Sequence, residues 1–171
     1  FTSIPEDYTI ECEEQVIYED AAATDNCSGG ASVTVEEETM AGDCPQHYYI
    51  VRTFTATDNC GNSTQAVQTI TVQDTTAPIL TIPADYTVEC DDNMPMADAS
   101  ATDNCGQVNI EEVQEVIQGD CAGNYTITRA FTATDECGNS TSATQTITVQ
   151  DTTAPEFTFV PADYTVECSD E

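Results

Sequence analysis

Tyr48-Tyr49-Ile50-Val51-Arg52-Thr53-Phe54-Thr55-Ala56-Thr57-Asp58-Asn59-Cys60-Gly61-Asn62-Ser63 alternates in polarity and ends in a cluster of turn formers. A period of two in Thr, Val, Ile, Tyr and Phe reads as a long strand. Asp-Asn-Cys-Gly-Asn supplies the side chains and the glycine that a tight reversal needs. Val67-Gln68-Thr69-Ile70-Thr71-Val72-Gln73-Asp74 alternates again, and Thr75-Thr76-Ala77-Pro78 stops it. The stretch is therefore a β-hairpin with long arms, and it returns almost word for word from Tyr125 to Pro155.

Working outward, the whole chain is a repeat. Asp7-Tyr8-Thr9-Ile10-Glu11-Cys12 recurs as Asp85-Tyr86-Thr87-Val88-Glu89-Cys90 and again as Asp163-Tyr164-Thr165-Val166-Glu167-Cys168. Ala23-Thr24-Asp25-Asn26-Cys27 recurs as Ala101-Thr102-Asp103-Asn104-Cys105, and Gly42-Asp43-Cys44 as Gly119-Asp120-Cys121. A fixed period means like units in a row. The expected units are 1–74, 75–151 and a linker with the first strand of a third repeat at 152–171. The expected reading is a piece of a longer array, or one unit of a continuous fibre. Strands are expected near 7–12, 20–25, 31–37, 47–57 and 64–73, and again about 77–78 residues later. The class is all-β.

Composition narrows the function. Thirty-two acids against two arginines give a formal net charge of −30 over 171 residues, with no lysine. Nucleic-acid binding needs cations to displace phosphate counterions, so that class is excluded. No apolar run is long enough to span a bilayer, so membrane insertion is not expected. Nine cysteines in a Thr-rich β sequence point to an oxidising, extracytoplasmic setting. With one histidine and no Cys-x-x-Cys, zinc and redox readings are poor, and no nucleophile constellation marks an enzyme.

Four cysteines per unit allow three pairings. Cys44 and Cys60 bracket a strand of about eleven residues, roughly 36 Å long, and cannot meet. If successive strands run up and down, Cys12 and Cys44 share one pole and Cys27 and Cys60 the other. The expected bonds are Cys12–Cys44, Cys27–Cys60, Cys90–Cys121 and Cys105–Cys137, two within each unit, with Cys168 left over. Each closes a loop of about 33 residues, worth roughly 3–4 kcal/mol in the chain-entropy account.

Arg52 shares a face with Tyr48, Ile50, Phe54 and Ala56, and Arg129 with their counterparts, so both cations point inward. Gln68 and Gln145 are expected diagonal to them across the hairpin. A buried guanidinium needs oxygen partners. It is read as structural, tying strands together, with ligand binding as the other reading.

Val-Gln-Asp-Thr-Thr-Ala-Pro closes each unit and lacks glycine, so it reads as a stiff joint. It brings Asp74 toward the loops carrying Asp103-Asn104 and Asp135-Glu136 of the next unit. Asp151 would meet the same loops of a third, and Asp25 and Asp58 are the equivalent positions in the first. Converging carboxylates suit Ca²⁺, which takes six to eight oxygens. Asx turns explain the same residues without a metal.

These motifs together, Ile-x-Val-x-Asp-Thr-Thr-Ala-Pro, Tyr-Thr-Val-Glu-Cys, Ala-Thr-Asp-Asn-Cys and Arg-x-Phe-Thr-Ala-Thr-Asp-x-Cys-Gly-Asn-Ser, resemble the hyalin-repeat (HYR)-like, immunoglobulin-like modules strung in tandem in large surface and secreted proteins of Bacteroidetes. The resemblance covers the chain. It implies tandem immunoglobulin-like β-sandwich modules, an extracellular or bacterial cell-surface location, and a stalk, adhesin or surface-filament role whose partners are neighbouring repeats or subunits of the same fibre. Asp-Thr-Thr at 74–76 and 151–153 also resembles an O-glycosylation signal, which would place sugar on Thr75 and Thr152. The alternative is a module that binds surface glycans or a protein, with exposed Tyr49 beside His47 as its platform.

Overall fold

The structure is a computed structural model that describes residues 1–27, 30–166 and 168. It is all-β: no helix occurs among the described residues. The first unit holds β1 (Tyr8–Glu11), β2 (Ala31–Ala41), β3 (Tyr48–Asp58) and β4 (Ser63–Gln73). The second holds β5 (Ile79–Thr81), β6 (Tyr86–Glu89), β7 (Ser100–Thr102), β8 (Val108–Gln118), β9 (Tyr125–Asp135) and β10 (Ser140–Gln150). Each unit is built on a four-stranded sheet of the same order, β1-β4-β3-β2 and β6-β10-β9-β8. In the second unit the β5-β7 pair forms a small further sheet. In the first unit only the bridge between Ser3 and Ala22 stands there, so the strand expected at 20–25 reduces to a single contact.

The hairpin is the spine of each sheet. β3 and β4 are antiparallel, and β1 adds to β4 in parallel. The turn between them is held by Asp58, whose carboxylate accepts the N–H groups of Cys60 and Asn62 and the Asn62 side chain. Gly61 sits at φ 88° and Gly138 at φ 91°, the left-handed region where a Cβ is strained. This turn is centred on Cys60, so Arg52 lies directly opposite Gln68, and Arg129 opposite Gln145. The diagonal placement expected from the sequence is corrected to a direct pair.

Burial follows the alternation. Ile50, Phe54, Ala56, Ile70 and Val72 are buried in the first unit, and Ile127, Phe131, Ala133, Ile147 and Val149 in the second. Arg52 and Arg129 are 3% exposed within the same rows. Arg52 donates to Glu37 Oε1 (2.9 Å), the Glu19 carbonyl (2.7 Å) and Gln68 Oε1 (3.0 Å). Gln68 in turn donates to the Glu6 carbonyl (2.7 Å). The set repeats at Arg129 with Glu112, Ala97 and Gln145, and Gln145 donates to Ala84. Each guanidinium also lies 4.9 Å from the ring centroid of the phenylalanine two residues on. Arg52, with Gln68, thus ties three sequence-distant segments to the hairpin, at Glu37, Glu19 and Glu6.

The disulfides depart from expectation. Cys12 is bonded to Cys105 and Cys44 to Cys137, each 93 residues apart. Cys27, Cys60, Cys90, Cys121 and Cys168 are free and exposed. None of the four bonds expected within units forms. Cys12 follows β1 at the end of the sheet where its N–H meets Gln73, and Cys44 precedes β3 at that same end. What overrides the pairing is stacking: the units meet head to tail, so each pole faces the opposite pole of its neighbour. The two bridges span the joint, making one covalently closed body in place of separately stapled modules.

The tail 152–166 forms no strand and is exposed throughout, with Phe157 90% exposed. The expected first strand of a third repeat is therefore not formed among its described residues. Glu167 and 169–171 lie outside them.

Candidate functional site

The joint between the two sheet units collects the chemistry. β4 ends at Gln73 and delivers Asp74 into the loops of the second unit. There the β9–β10 turn presents Asp135, and the loop after β7 presents Asp103. One carboxylate oxygen from each of the three lies within 4.8 Å of the others. Asp74 and Asp135 are each 7% exposed. The Asp74 backbone carbonyl is anchored by the side-chain amide of Asn139 (3.1 Å). The Pro78 carbonyl accepts from the Thr141 hydroxyl (2.7 Å), so the linker is held at both ends.

The three carboxylates are not equivalent. Asp135 is turn-bound: its oxygens accept the N–H groups of Cys137 and Asn139 and the Asn139 amide. Burial pushes its pKa upward, but these hydrogen bonds outweigh it and hold the carboxyl below the ordinary value. Among the described residues, the Asp74 carboxylate accepts a hydrogen bond from the Thr76 N–H (3.2 Å). Burial, helped by the charges of Asp103, Asp135 and Glu11, holds its carboxyl above the ordinary value. Asp103 accepts the Cys105 N–H through Oδ2, whereas its Oδ1 is buried with no hydrogen-bond partner.

A buried carboxylate oxygen without a donor is costly. Three carboxylates around one point, two of them buried, repel. A hard divalent cation held by Asp74, Asp103 and Asp135 would offset both, and an all-oxygen donor set is of the kind Ca²⁺ takes. Cys12 and Cys105 flank the same point, but their sulfurs are bonded to each other and cannot serve as thiolate ligands.

The remaining candidates fall as follows. Glu136, expected to converge here, is engaged by Gln46 across the joint (2.9 Å). Asn104 turns its amide to the sulfurs of Cys105 and Cys12. Asp25 and Asp58 come together at the far end of the first unit, where they line one cavity with Cys27 and Cys60. Asp151 lies at the opposite end, its N–H donating to Asn124 Oδ1 (2.8 Å). Asp74, Asp103 and Asp135 therefore form one cluster, and Asp25, Asp58 and Asp151 do not join it.

Thr75 donates its hydroxyl to Glu11 (2.8 Å) and Thr152 its hydroxyl to Glu89. These bonds, with those from the same residues' N–H groups, hold both glutamates below the ordinary carboxylate range. Tyr49 is half-buried, its ring centroid 5.1 Å from that of His47, which pairs with Asp43. The exposed platform expected there is thus partly covered.

Sequence reasoning missed Gln46, which bridges the units through Glu136 and lies 3.7 Å from the Cys137 sulfur. Nothing in the repeat marks it, since its counterpart in the second unit is Gly123.

Among proteins of known sequence and structure, residues 78–149 match the family model of the HYR-like domain with 4 cysteines. Hyalin of Lytechinus variegatus is 31% identical over 151 residues, 82% of this chain. The chain spans 28% of that hyalin. Drosophila N-cadherin EC1-4 is similar in structure at a TM-score of 0.34 and 15% identity, over 85% of this chain and 48% of that one. Protocadherin gammaB7 EC3-6 is similar at 0.32 and 14%, over 86% and 46%. The family model and the hyalin relative together support an HYR/immunoglobulin-like repeat in this chain.

Proposed function

We propose that the chain is a structural segment of a long extracellular rod. The rod is the stalk of a surface adhesin or the repeating unit of a surface filament, at a bacterial cell surface as the motif resemblance implies. The units are 1–74 and 75–151, followed by a linker and third-repeat start at 152–171. Its partners are neighbouring repeats or subunits of the same fibre, and its role is mechanical and non-catalytic.

One observation carries this reading: both disulfides and the three-aspartate cluster fall on the joint between like units. Bonds spent there resist bending and separation, where a rod would fail. The candidate cation is Ca²⁺, held by Asp74, Asp103 and Asp135, which would cancel their repulsion and set the angle between units.

Small-angle scattering with calcium and then with chelator, alongside a melting curve, tests it. A chelated chain that bends and melts earlier supports a calcium-stiffened rod. Unchanged scattering and melting would leave the joint held by disulfides and packing alone, and would remove calcium from the reading.

A further inference from the structure

The joint between the two units is made of two unlike halves, and the far end of each unit repeats one of those halves with its cysteines unbonded. The first unit contributes Cys12, Cys44 and Asp74; the second contributes Cys105, Cys137, Asp103 and Asp135. By the repeat, Cys90, Cys121 and Asp151 are the first half again, at the far end of the second unit. Cys27, Cys60, Asp25 and Asp58 are the second half again, at the far end of the first. All four cysteines are free and exposed.

The supporting positions repeat as well. Asn139 and Thr141, which grip the carbonyls of Asp74 and Pro78, have Asn62 and Thr64 as counterparts, and Pro78 has Pro155. Asp58 already builds the same turn as Asp135, with the same N–H groups and the same asparagine side chain. The two ends are therefore preformed to the shape of a joint the molecule has already made. The Gln46–Glu136 contact is not reproduced, since Gly123 and Asn59 stand in its place, and neither is the entry of the linker into β5.

We propose that the two ends join head to tail with a second copy of this chain through two disulfides, Cys90 to Cys27 and Cys121 to Cys60, with Asp151 entering beside Asp25 and Asp58 of that copy. Such a contact is heterologous and, resting on the filament reading proposed above, adds copies end to end. The second copy keeps its own residues 8–11, which are paired with β4 and anchored by Cys12. The tail 156–166 pairs with no strand and is exposed, so it would lie outside that joint.

Each bond forms by exchange with a small disulfide such as oxidised glutathione. The thiolate of one cysteine attacks it, giving a mixed disulfide and one small thiolate. The thiolate of the partner cysteine then displaces the second. Two protein thiols are oxidised, one small disulfide is reduced to two thiols, and the two protons pass to those thiols.

The test uses the full chain in a Cys168→Ser background, so that the tail thiol takes no part. Calcium is present throughout. Labelled and unlabelled copies are mixed in a glutathione redox buffer, run without reductant, and digested for disulfide mapping. The expected result is a ladder at whole multiples of the chain, with Cys90–Cys27 and Cys121–Cys60 peptides joining labelled to unlabelled copies. Cys27→Ser/Cys60→Ser and Cys90→Ser/Cys121→Ser variants should each stay monomeric alone and stop at dimers when mixed. Retained Cys12–Cys105 and Cys44–Cys137 peptides show that each variant is folded. Closure of Cys27 to Cys60 and of Cys90 to Cys121 within one chain would overturn the proposal, as would a ladder joined through like cysteines. Either failure leaves the calcium-stiffened rod standing, since scattering tests that on the single chain.

Discussion

Cys12 is bonded to Cys105 in the following unit and not to Cys44, which lies at its own end of the same sheet. Both bridges thus cross one interface. The first to form closes a loop of roughly a hundred residues, worth about 4–5 kcal/mol in the chain-entropy account. A Cys44→Ser/Cys137→Ser variant should therefore lose about 2–4 kcal/mol, read by chemical denaturation. Its proteolysis should begin in the 74–78 linker, while the sheet signal in circular dichroism stays. Loss of all sheet structure on this one change would mean that neither unit stands without the staple.

Asp103 Oδ1 is buried without a donor, in contrast to its neighbours. Replacing it by asparagine removes one negative charge and one hard oxygen while keeping shape. By calorimetric titration, Asp103→Asn should weaken calcium binding at least tenfold, about 1.4 kcal/mol. Asp25→Asn, at the far end, should leave the binding of the isolated chain unchanged. Equal losses in the two variants would disperse the site over the general acidic surface.

The pH dependence follows from Asp74. Its folded carboxyl lies above the ordinary carboxylate value, chiefly through burial. The stability tied to its protonated form is present below the unfolded value and is lost as pH rises through the raised one. In chelator, Asp74→Asn should therefore match or exceed the parent in melting temperature at neutral pH, and the difference should vanish on acidification through that window. In calcium the order should reverse, because the variant lacks a ligand. Asp135 has the opposite sign, its carboxyl held low by the Asn139 and Cys137 hydrogen bonds against the effect of burial, so its contribution is lost as pH falls through the depressed value. Comparing the parent with Asp74→Asn isolates one group from the other.

Much of this was legible before any coordinates. The two-residue period of Tyr48–Asp58 gave the hairpin and its buried face, and inward parity singled out Arg52 and Arg129. The Asp-x-Cys-Gly-Asn turn placed Asp74 against Asp103 and Asp135, because strand direction alone sends the end of β4 toward the loops of the next unit. The disulfide partners were not legible, for a definite reason. Pole assignment from strand direction leaves two equal candidates for each cysteine, one in its own unit and one across the joint. Sequence separation favours the near one, and only the stacking geometry of the units selects the far one. The strand at 20–25 reduces to the bridge at Ala22, although its counterpart Ser100–Thr102, of similar composition, pairs fully with Ile79–Thr81; the units differ in the partner, Phe1-Thr2-Ser3 against the more β-prone Ile79-Leu80-Thr81.

The arginine row offers the sharpest test of what holds a unit together. Arg129 is buried among apolar neighbours and is balanced by Glu112, Gln145 and the Ala97 carbonyl. Truncation to alanine strands the Gln145 amide oxygen and removes the partner that holds Glu112 below the ordinary carboxylate range. Arg129→Ala should cost about 1–3 kcal/mol by urea denaturation, the range for leaving a buried polar group such as the Gln145 amide oxygen unsatisfied. Lysine should not rescue it, because a single ammonium cannot reach Glu112 through two nitrogens while also serving Gln145 and Ala97. An Arg129→Met/Gln145→Leu double variant, which removes the polar group on both strands, should recover part of the loss. Full stability in Arg129→Lys would mean that charge alone, and not the fork geometry, ties the segments to the hairpin.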